Sequence, residues 1–213
     1  MKDIQSVIWD WNGTLLDDTL LCLDTINQLL DDRNLNKIDE VTYKELFGFP
    51  VIDFYTQLGF DFTKESFEAL SVDYMKIYME GLKKAPLAYT ASYALKRVRK
   101  KGKLQYILSA MEKPDLVDSL IKKGIKSYFS KIYGNTNKLG NGKVSIGKTL
   151  IENEQLIPGD TLIVGDTIHD YEVAKELGCQ VILVSSGHQN SKRLKALGVP
   201  VVEGLDELMI NYF

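Results

Sequence analysis

The sequence predicts an α/β chain: a mostly parallel, Rossmann-like sheet with helices on both faces and an all-helical insertion between its first and second strands. Three observations predict it. Ile4 and the run Val7-Ile8-Trp9 lead straight into Asp10, as a buried parallel strand reads when it ends at a site. Residues from about Asp18 to Leu82 carry helical periodicity with little strand character. From Lys84 onward helix and strand alternate to the end, and repeated β-α-β units imply parallel pairing with crossovers on both faces.

The elements can be justified in order. Leu20, Leu21, Leu23, Ile26, Leu29 and Leu30 recur at the helical period, with Asp17 or Asp18 placed to cap the first turn. A second helix is expected over 41–47, stopping at Gly48-Phe49-Pro50, and a third over 51–58, ending at Gly59. The longest runs from Thr63 as N-cap through Phe67, Leu70, Tyr74, Ile77 and Tyr78 to Leu82. Residues 17–83 are thus expected as a helical cap, and 1–16 with 84–213 as the core, with hinges near 15–18 and 83–90. Core expectations follow the same signals: a helix over 91–101 closed by Gly102, a strand over 104–108 ending in Ser109-Ala110, and a helix with Pro114 in its first turn and Gly124 at its end. Then come a short strand over 131–133, a Gly/Asn-rich loop over 134–142, a helix over 145–156 and a strand over 161–164 running into Gly165-Asp166. A helix over 170–177, a strand over 180–184, a helix over 191–197 and a strand over 199–202 complete the reading.

Composition narrows the function classes. The chain has 213 residues, enough for one large domain with an insertion, and its 45% hydrophobic and 26% charged content is that of a globular protein. A net charge of -3 with mixed signs gives no basic face for nucleic acid. No apolar run reaches the roughly 18 residues of a membrane span. Met1-Lys2-Asp3 leaves no room for a signal peptide, so a cytoplasmic location is expected, with Cys22 and Cys179 as buried thiols of no metal-ligand spacing.

Chemistry converges where strands end. Parallel strands put their carboxyl ends on one edge, so Asp10 with Asn12, Ser109, and Asp166 with Asp170 are expected to meet there. Alone, Asp10-Trp11-Asn12-Gly13-Thr14 also reads as a strand followed by an Asn-Gly turn. Three carboxylates in one crevice repel one another unless a cation sits among them, and all-oxygen ligands select a hard ion such as Mg²⁺. Asp10 is the candidate nucleophile, and Gly13 would let backbone N–H groups approach a phosphate. Ser109 could donate to the transferring oxygens, or serve as an N-cap. A lysine is expected after the third strand, where Lys143 and Lys148 compete.

These motifs resemble the haloacid dehalogenase superfamily, and most its phosphoglycolate-phosphatase-like branch with a helical cap. Motif one is similar to Asp10-Trp11-Asn12-Gly13-Thr14, motif two to Ile107-Leu108-Ser109-Ala110, and motif four to Val164-Gly165-Asp166-Thr167-Ile168-His169-Asp170. The resemblance implies a Mg²⁺-dependent phosphatase with a phosphoryl group carried on Asp10. It places the metal on Asp10, the backbone carbonyl of Asn12 and Asp166, with Asp170 in support. Phosphate would be held by Gly13, Thr14, Ser109, Ala110 and the motif-three lysine. Lys143 is assigned that part because Lys143-Val144-Ser145-Ile146 stands where the family has Lys-Pro-x-Pro before a helix; both prolines are absent, and Lys148 is second choice. A crevice under a helical lid, with Gly48-Phe49-Pro50 as its tip or as a simple interhelical turn, suggests a small phosphorylated metabolite as substrate.

One departure bears on rate. The family's phosphatases carry a second aspartate two residues after the nucleophile, and here that residue is Asn12, which cannot shuttle a proton. Losing such a group typically costs roughly 10² to 10⁴ in rate. A slow phosphatase, one limited to good leaving groups, or one that borrows His169 or His188 is expected, and Asn12→Asp should raise turnover of an aryl phosphate. Within the superfamily, dehalogenases and phosphonatases have Tyr or Ala at this position, and Asn matches neither. Two other readings stand beside this one. Gly142-Lys143-Val144-Ser145-Ile146-Gly147-Lys148-Thr149 matches the nucleotide-binding P-loop pattern literally. A non-catalytic member of the same fold that only binds a phosphorylated ligand is the other.

Overall fold

A computed structural model describes residues 3–136 and 142–213. Ser6–Trp9 forms β1, buried along its whole length because it lies in the middle of the sheet. Leu104–Glu112 (β2) and Thr161–Gly165 (β4) flank it, then Lys131–Asn135 (β3) on one side and Gln180–Val184 (β5) with Val201–Val202 (β6) on the other. The order is β3-β2-β1-β4-β5-β6, and every pairing is parallel. Trp9 sits level with Ile107 and Val164, so Asp10, Ser109 and Asp166 all lie within a step or two of one rung.

Alternation along β1 divides the core. Val7 and Trp9 face one side with Ile107, Leu162 and Val164, in an apolar cluster that continues into the insertion. Ile8 faces the other with Tyr106, Leu108 and Ile163, against Leu150, Val173 and Ala174. The insertion between β1 and β2 comprises α1 (Thr19–Asp32), α2 (Glu40–Leu46), α3 (Val51–Gln57) and α4 (Phe67–Leu82), with α1 packed on α4. The core helices are α5 (Ala91–Lys100), α6 (Lys113–Lys122), α7 (Lys143–Asn153), α8 (Ile168–Leu177), α9 (Ser191–Lys195) and α10 (Leu205–Tyr212). The two crossings between insertion and core are paired: Leu16 bridges Leu87, the Asp17 amide donates to the Pro86 carbonyl (2.9 Å), and the Ala88 amide to that of Leu15 (2.9 Å).

Several boundaries depart from the sequence reading. The longest cap helix starts at Phe67, with Ser66 as N-cap, because Asp61 holds both the amide and the hydroxyl of Thr63 in a preceding turn. Asp18 precedes α1 but does not cap it; its carboxylate is taken by Gly13, Asn12 and Tyr78. β2 runs on to Glu112, past Ser109-Ala110, with a register shift against β3. Helix α7 begins at Lys143 and α8 at Ile168, earlier than the apolar periodicity alone indicates. Gly134 and Asn135 end β3 rather than opening a loop; residues 137–141 of the expected loop lie outside the described residues. Helix α10 was not anticipated, although Leu205, Leu208 and Met209 carry its buried face. Among the described residues no helix is long and apolar enough to cross a membrane.

Candidate active site

Asp10 follows β1 directly and is anchored there by its amide, which donates to the Val164 carbonyl (2.9 Å). The next residues turn tightly: Leu15 and Leu16 both donate their amides to the Trp11 carbonyl. Gly13 has φ +74°, and a Cβ on it would collide with the Asp166 carboxylate and the His188 ring. Glycine therefore lets the turn pass over Asp166.

At the end of β4, Asp166 and Asp170 take different surroundings. Thr167 and Asp170 form a reciprocal capping box that opens α8. Asp170 Oδ2 accepts from the Thr167 hydroxyl (2.7 Å) and from the Thr167 and Asp166 amides (3.0 and 3.2 Å). Asp166 accepts from the Thr14 hydroxyl (3.0 Å) and the His188 amide (2.7 Å). Thr14, expected among the phosphate-binding residues, is buried with its hydroxyl on Asp166.

Lys143, the first residue of α7, is buried with its Nζ 2.5 Å from Asp10 Oδ1 and 2.5 Å from Asp170 Oδ1. Lys148 lies further along the helix, exposed, 4.0 Å from Glu176. The geometry thus separates the two competing lysines. It also removes the P-loop reading, since residues 143–153 are helical where that pattern needs a loop wrapped around phosphate.

Oxygens of Asp10, Asp166 and Asp170 lie within 4.8 Å of one another. Burial, with the charges of Asp170 and Asp166, raises the Asp10 pKa well above the usual carboxylate range despite Lys143. Burial likewise pushes Asp166 up to about 6. At Asp170 burial acts in the same direction, but Lys143 and the Thr167 donors outweigh it and hold its pKa low. One lysine does not balance three carboxylates, and the unmatched donors are all oxygen. This set fits a hard divalent cation, with Asp10 and Asp166 keeping acceptor capacity and Asp170 largely committed to its hydrogen bonds.

A second polar group lies beside Asp10, and local sequence signals did not reveal it. The Asn12 amide donates to Asp18 Oδ2 (2.8 Å) and to the Tyr78 hydroxyl (2.7 Å), Tyr78 donates to the same oxygen (2.8 Å), and the Gly13 amide holds Asp18 Oδ1 (2.8 Å). His188 Nε2 is 3.4 Å from Asp18 Oδ1, and its Nδ1 is 3.0 Å from the Tyr43 hydroxyl. Burial opposes both charges, yet the pair wins: His188 rises to about 9 and Asp18 falls below its ordinary value. Cys22, which spacing had left without neighbours, lies 3.7 Å from Asp18, where burial and that carboxylate keep it a thiol. His169 is instead at the rim, its ring 5.0 Å from that of Phe49 and 3.2 Å from Glu172.

A cavity of about 390 Å³ joins these groups. Asp10, Asn12, Ser109, Ala110 and Lys143 contribute to its wall on the core side; Phe47, Phe49, Tyr74 and Tyr78 contribute from the insertion. Ser109 is buried and accepts from the Met111 amide (3.1 Å), and its O–H has no acceptor among the described residues. Asn135 also lines the cavity, and its buried Oδ1 has no partner among the described residues.

Known proteins resemble this chain in sequence and in fold. The family model for haloacid dehalogenase-like hydrolases matches residues 7–184. A phosphoglycolate phosphatase of Synechococcus elongatus is 23% identical over 193 residues, covering 91% of this chain and 89% of that protein. Among solved structures, a haloacid dehalogenase-like hydrolase from Streptococcus pneumoniae superposes with TM-score 0.86 at 20% identity over 100% of both chains. A predicted phosphatase from Clostridium acetobutylicum gives 0.83 at 20% identity over 98% of each. With the family model spanning most of its length and the paired acidic motifs meeting at one sheet edge, the chain belongs to the haloacid dehalogenase-like hydrolases.

Proposed function

We propose that this phosphatase hydrolyses a small phosphorylated metabolite with Mg²⁺, through a phosphoryl group carried transiently on Asp10. The observation that carries the reading is the buried Lys143 ammonium shared by Asp10 and Asp170, 2.5 Å from each, with Asp166 in the same group.

Asp10 attacks phosphorus, its oxygen–phosphorus bond forming as the ester's oxygen–phosphorus bond breaks. The departing alkoxide takes a proton from solvent or from a nearby donor, since Asn12 cannot provide one. Lys143 holds the Asp10 carboxylate in place and offers positive charge to the transferring oxygens, and the Ser109 hydroxyl can donate to them. Water then attacks the same phosphorus, releasing inorganic phosphate and restoring Asp10. Mg²⁺, held by Asp10, Asp166 and the Asn12 carbonyl with Asp170 in support, would neutralise charge on the phosphoryl oxygens. Asp166 is oriented for that part by Thr14 and the His188 amide.

The test is phosphate release from p-nitrophenyl phosphate by the native protein, by Asp10→Asn, and by native protein treated with a chelator and then resupplied with Mg²⁺. Asp10→Asn should lose about 10³-fold or more in kcat. Chelation should abolish activity and Mg²⁺ restore it. Equal activity in Asp10→Asn would refute the reading.

A further inference from the structure

We infer that the alcohol half of the substrate is an uncharged, ring-sized apolar group rather than a carboxylate-bearing one. The inference rests on the phosphatase reading and concerns the part of the same cavity that lies beyond the phosphate. Beside Asp10 and Lys143 the wall includes the apolar side chains of Phe47, Phe49, Tyr74, Met75, Tyr78 and Met111, with His169 and Asn135 among its polar members. Two of these are large apolar groups left open to solvent, Phe49 at 47% and Met75 at 42% exposure, an arrangement that costs free energy unless something covers them. A second cavity of about 290 Å³, lined by Ile26, Val51, Phe54 and Tyr55, lies behind Phe47, Tyr74 and Met75, which wall both spaces. An apolar ligand group entering the first cavity would therefore meet aromatic and thioether surface continuous with the core of the insertion.

Charge points the same way. The carboxylate of Glu112 lines the cavity and would repel a second anionic group on the substrate, while Asp18 and His188 neutralise each other. The ammonium of Lys143 is engaged by Asp10 and Asp170, and His188 by Asp18, so these cations are committed. The volume is within the range of pockets that enclose a small organic molecule. Phosphoglycolate, the substrate in the name of the Synechococcus relative, carries a carboxylate that this wall is not built to receive.

The test compares kcat/KM for benzyl phosphate, ethyl phosphate and 2-phosphoglycolate, three esters of primary alcohols, in the native protein with Mg²⁺ and in Asp10→Asn. Benzyl phosphate should exceed each of the others by about 10-fold to 100-fold, the gain expected from burying one ring. Met75→Lys, at a partly exposed position and with folding checked by circular dichroism, should reduce the benzyl preference and raise 2-phosphoglycolate relative to it by about 10-fold. Phosphate release that favours 2-phosphoglycolate, or that is equal for all three esters, would overturn this inference while leaving the phosphatase reading intact. Release no greater than that of Asp10→Asn from every ester would overturn both.

Discussion

The Asn12–Asp18 contact changes what a substitution at position 12 should do. From sequence alone Asn12→Asp restores a missing proton carrier. In the structure the Asn12 amide donates to Asp18 Oδ2 at 2.8 Å, so an aspartate there would set two acceptor-only groups against each other. The single variant should lose about 1–3 kcal/mol of stability in chemical denaturation. The exchange Asn12→Asp with Asp18→Asn re-forms the hydrogen bond in reverse, recovers that part of the loss though not the Asp18–His188 pair, and should raise kcat on an alkyl phosphate by about 10²-fold. Undiminished stability in Asn12→Asp alone would contradict this account. The motif residues themselves were legible because chemistry fixes their spacing on strand ends. Asp18 was not: an acidic residue ahead of a helix reads as a cap, whereas its partners Tyr78 and His188 lie 60 and 170 positions away and leave no local signal.

At the scale of the element, helix α7 decides between the two lysines and between two functions. Its first residue, Lys143, is buried among carboxylates, while Lys148 is exposed beside Glu176. Lys143→Met should lower kcat by about 10²-fold or more, since it leaves Asp10 and Asp170 buried without their shared cation. Lys148→Met should stay within about twofold of native, as an exposed lysine with a weak pair contributes little. Loss of activity in Lys148→Met with full activity in Lys143→Met would reverse the assignment. Helix periodicity revealed α7 but misplaced its start, because Lys143 is polar and only its charge partners, Asp10 just after β1 and Asp170 in α8, pull it into the core. Two strands of the sheet were read closely for the opposite reason: Thr161–Gly165 and Gln180–Val184 are short apolar runs bounded by Gly, Asp and Ser, and every signal needed is in the run.

For the whole molecule, the paired crossings at Leu15–Asp17 and Pro86–Ala88 join the insertion to the core on one side, and the loop after β5 with helix α9 contacts it on the other. Arg193 Nη1 donates to the Phe47 carbonyl (2.6 Å) and the Lys44 carbonyl (3.1 Å), and Gln189 Nε2 to Phe47 (2.9 Å). Those carbonyls close helix α2, where free acceptors and the helix dipole favour a cation. The cap's position in the chain was legible in the change from helical to alternating periodicity; this latch was not, because it joins residues about 145 positions apart through backbone acceptors that any side chain would supply. Arg193→Ala removes a charge-assisted contact worth about 1.5–3 kcal/mol, enough to raise the open population about 10-fold to 100-fold. Cys22 reports that opening, since it is buried against Asp18 at the cavity wall, while Cys179 on the far side of the core provides an internal reference. Thiol-labelling of Arg193→Ala should therefore accelerate at Cys22 by that factor and stay unchanged at Cys179, with Cys22→Ser assigning the two phases. If Cys22 reacts no faster in Arg193→Ala than in native protein, Arg193 does not hold the insertion closed and the cavity must open by another route.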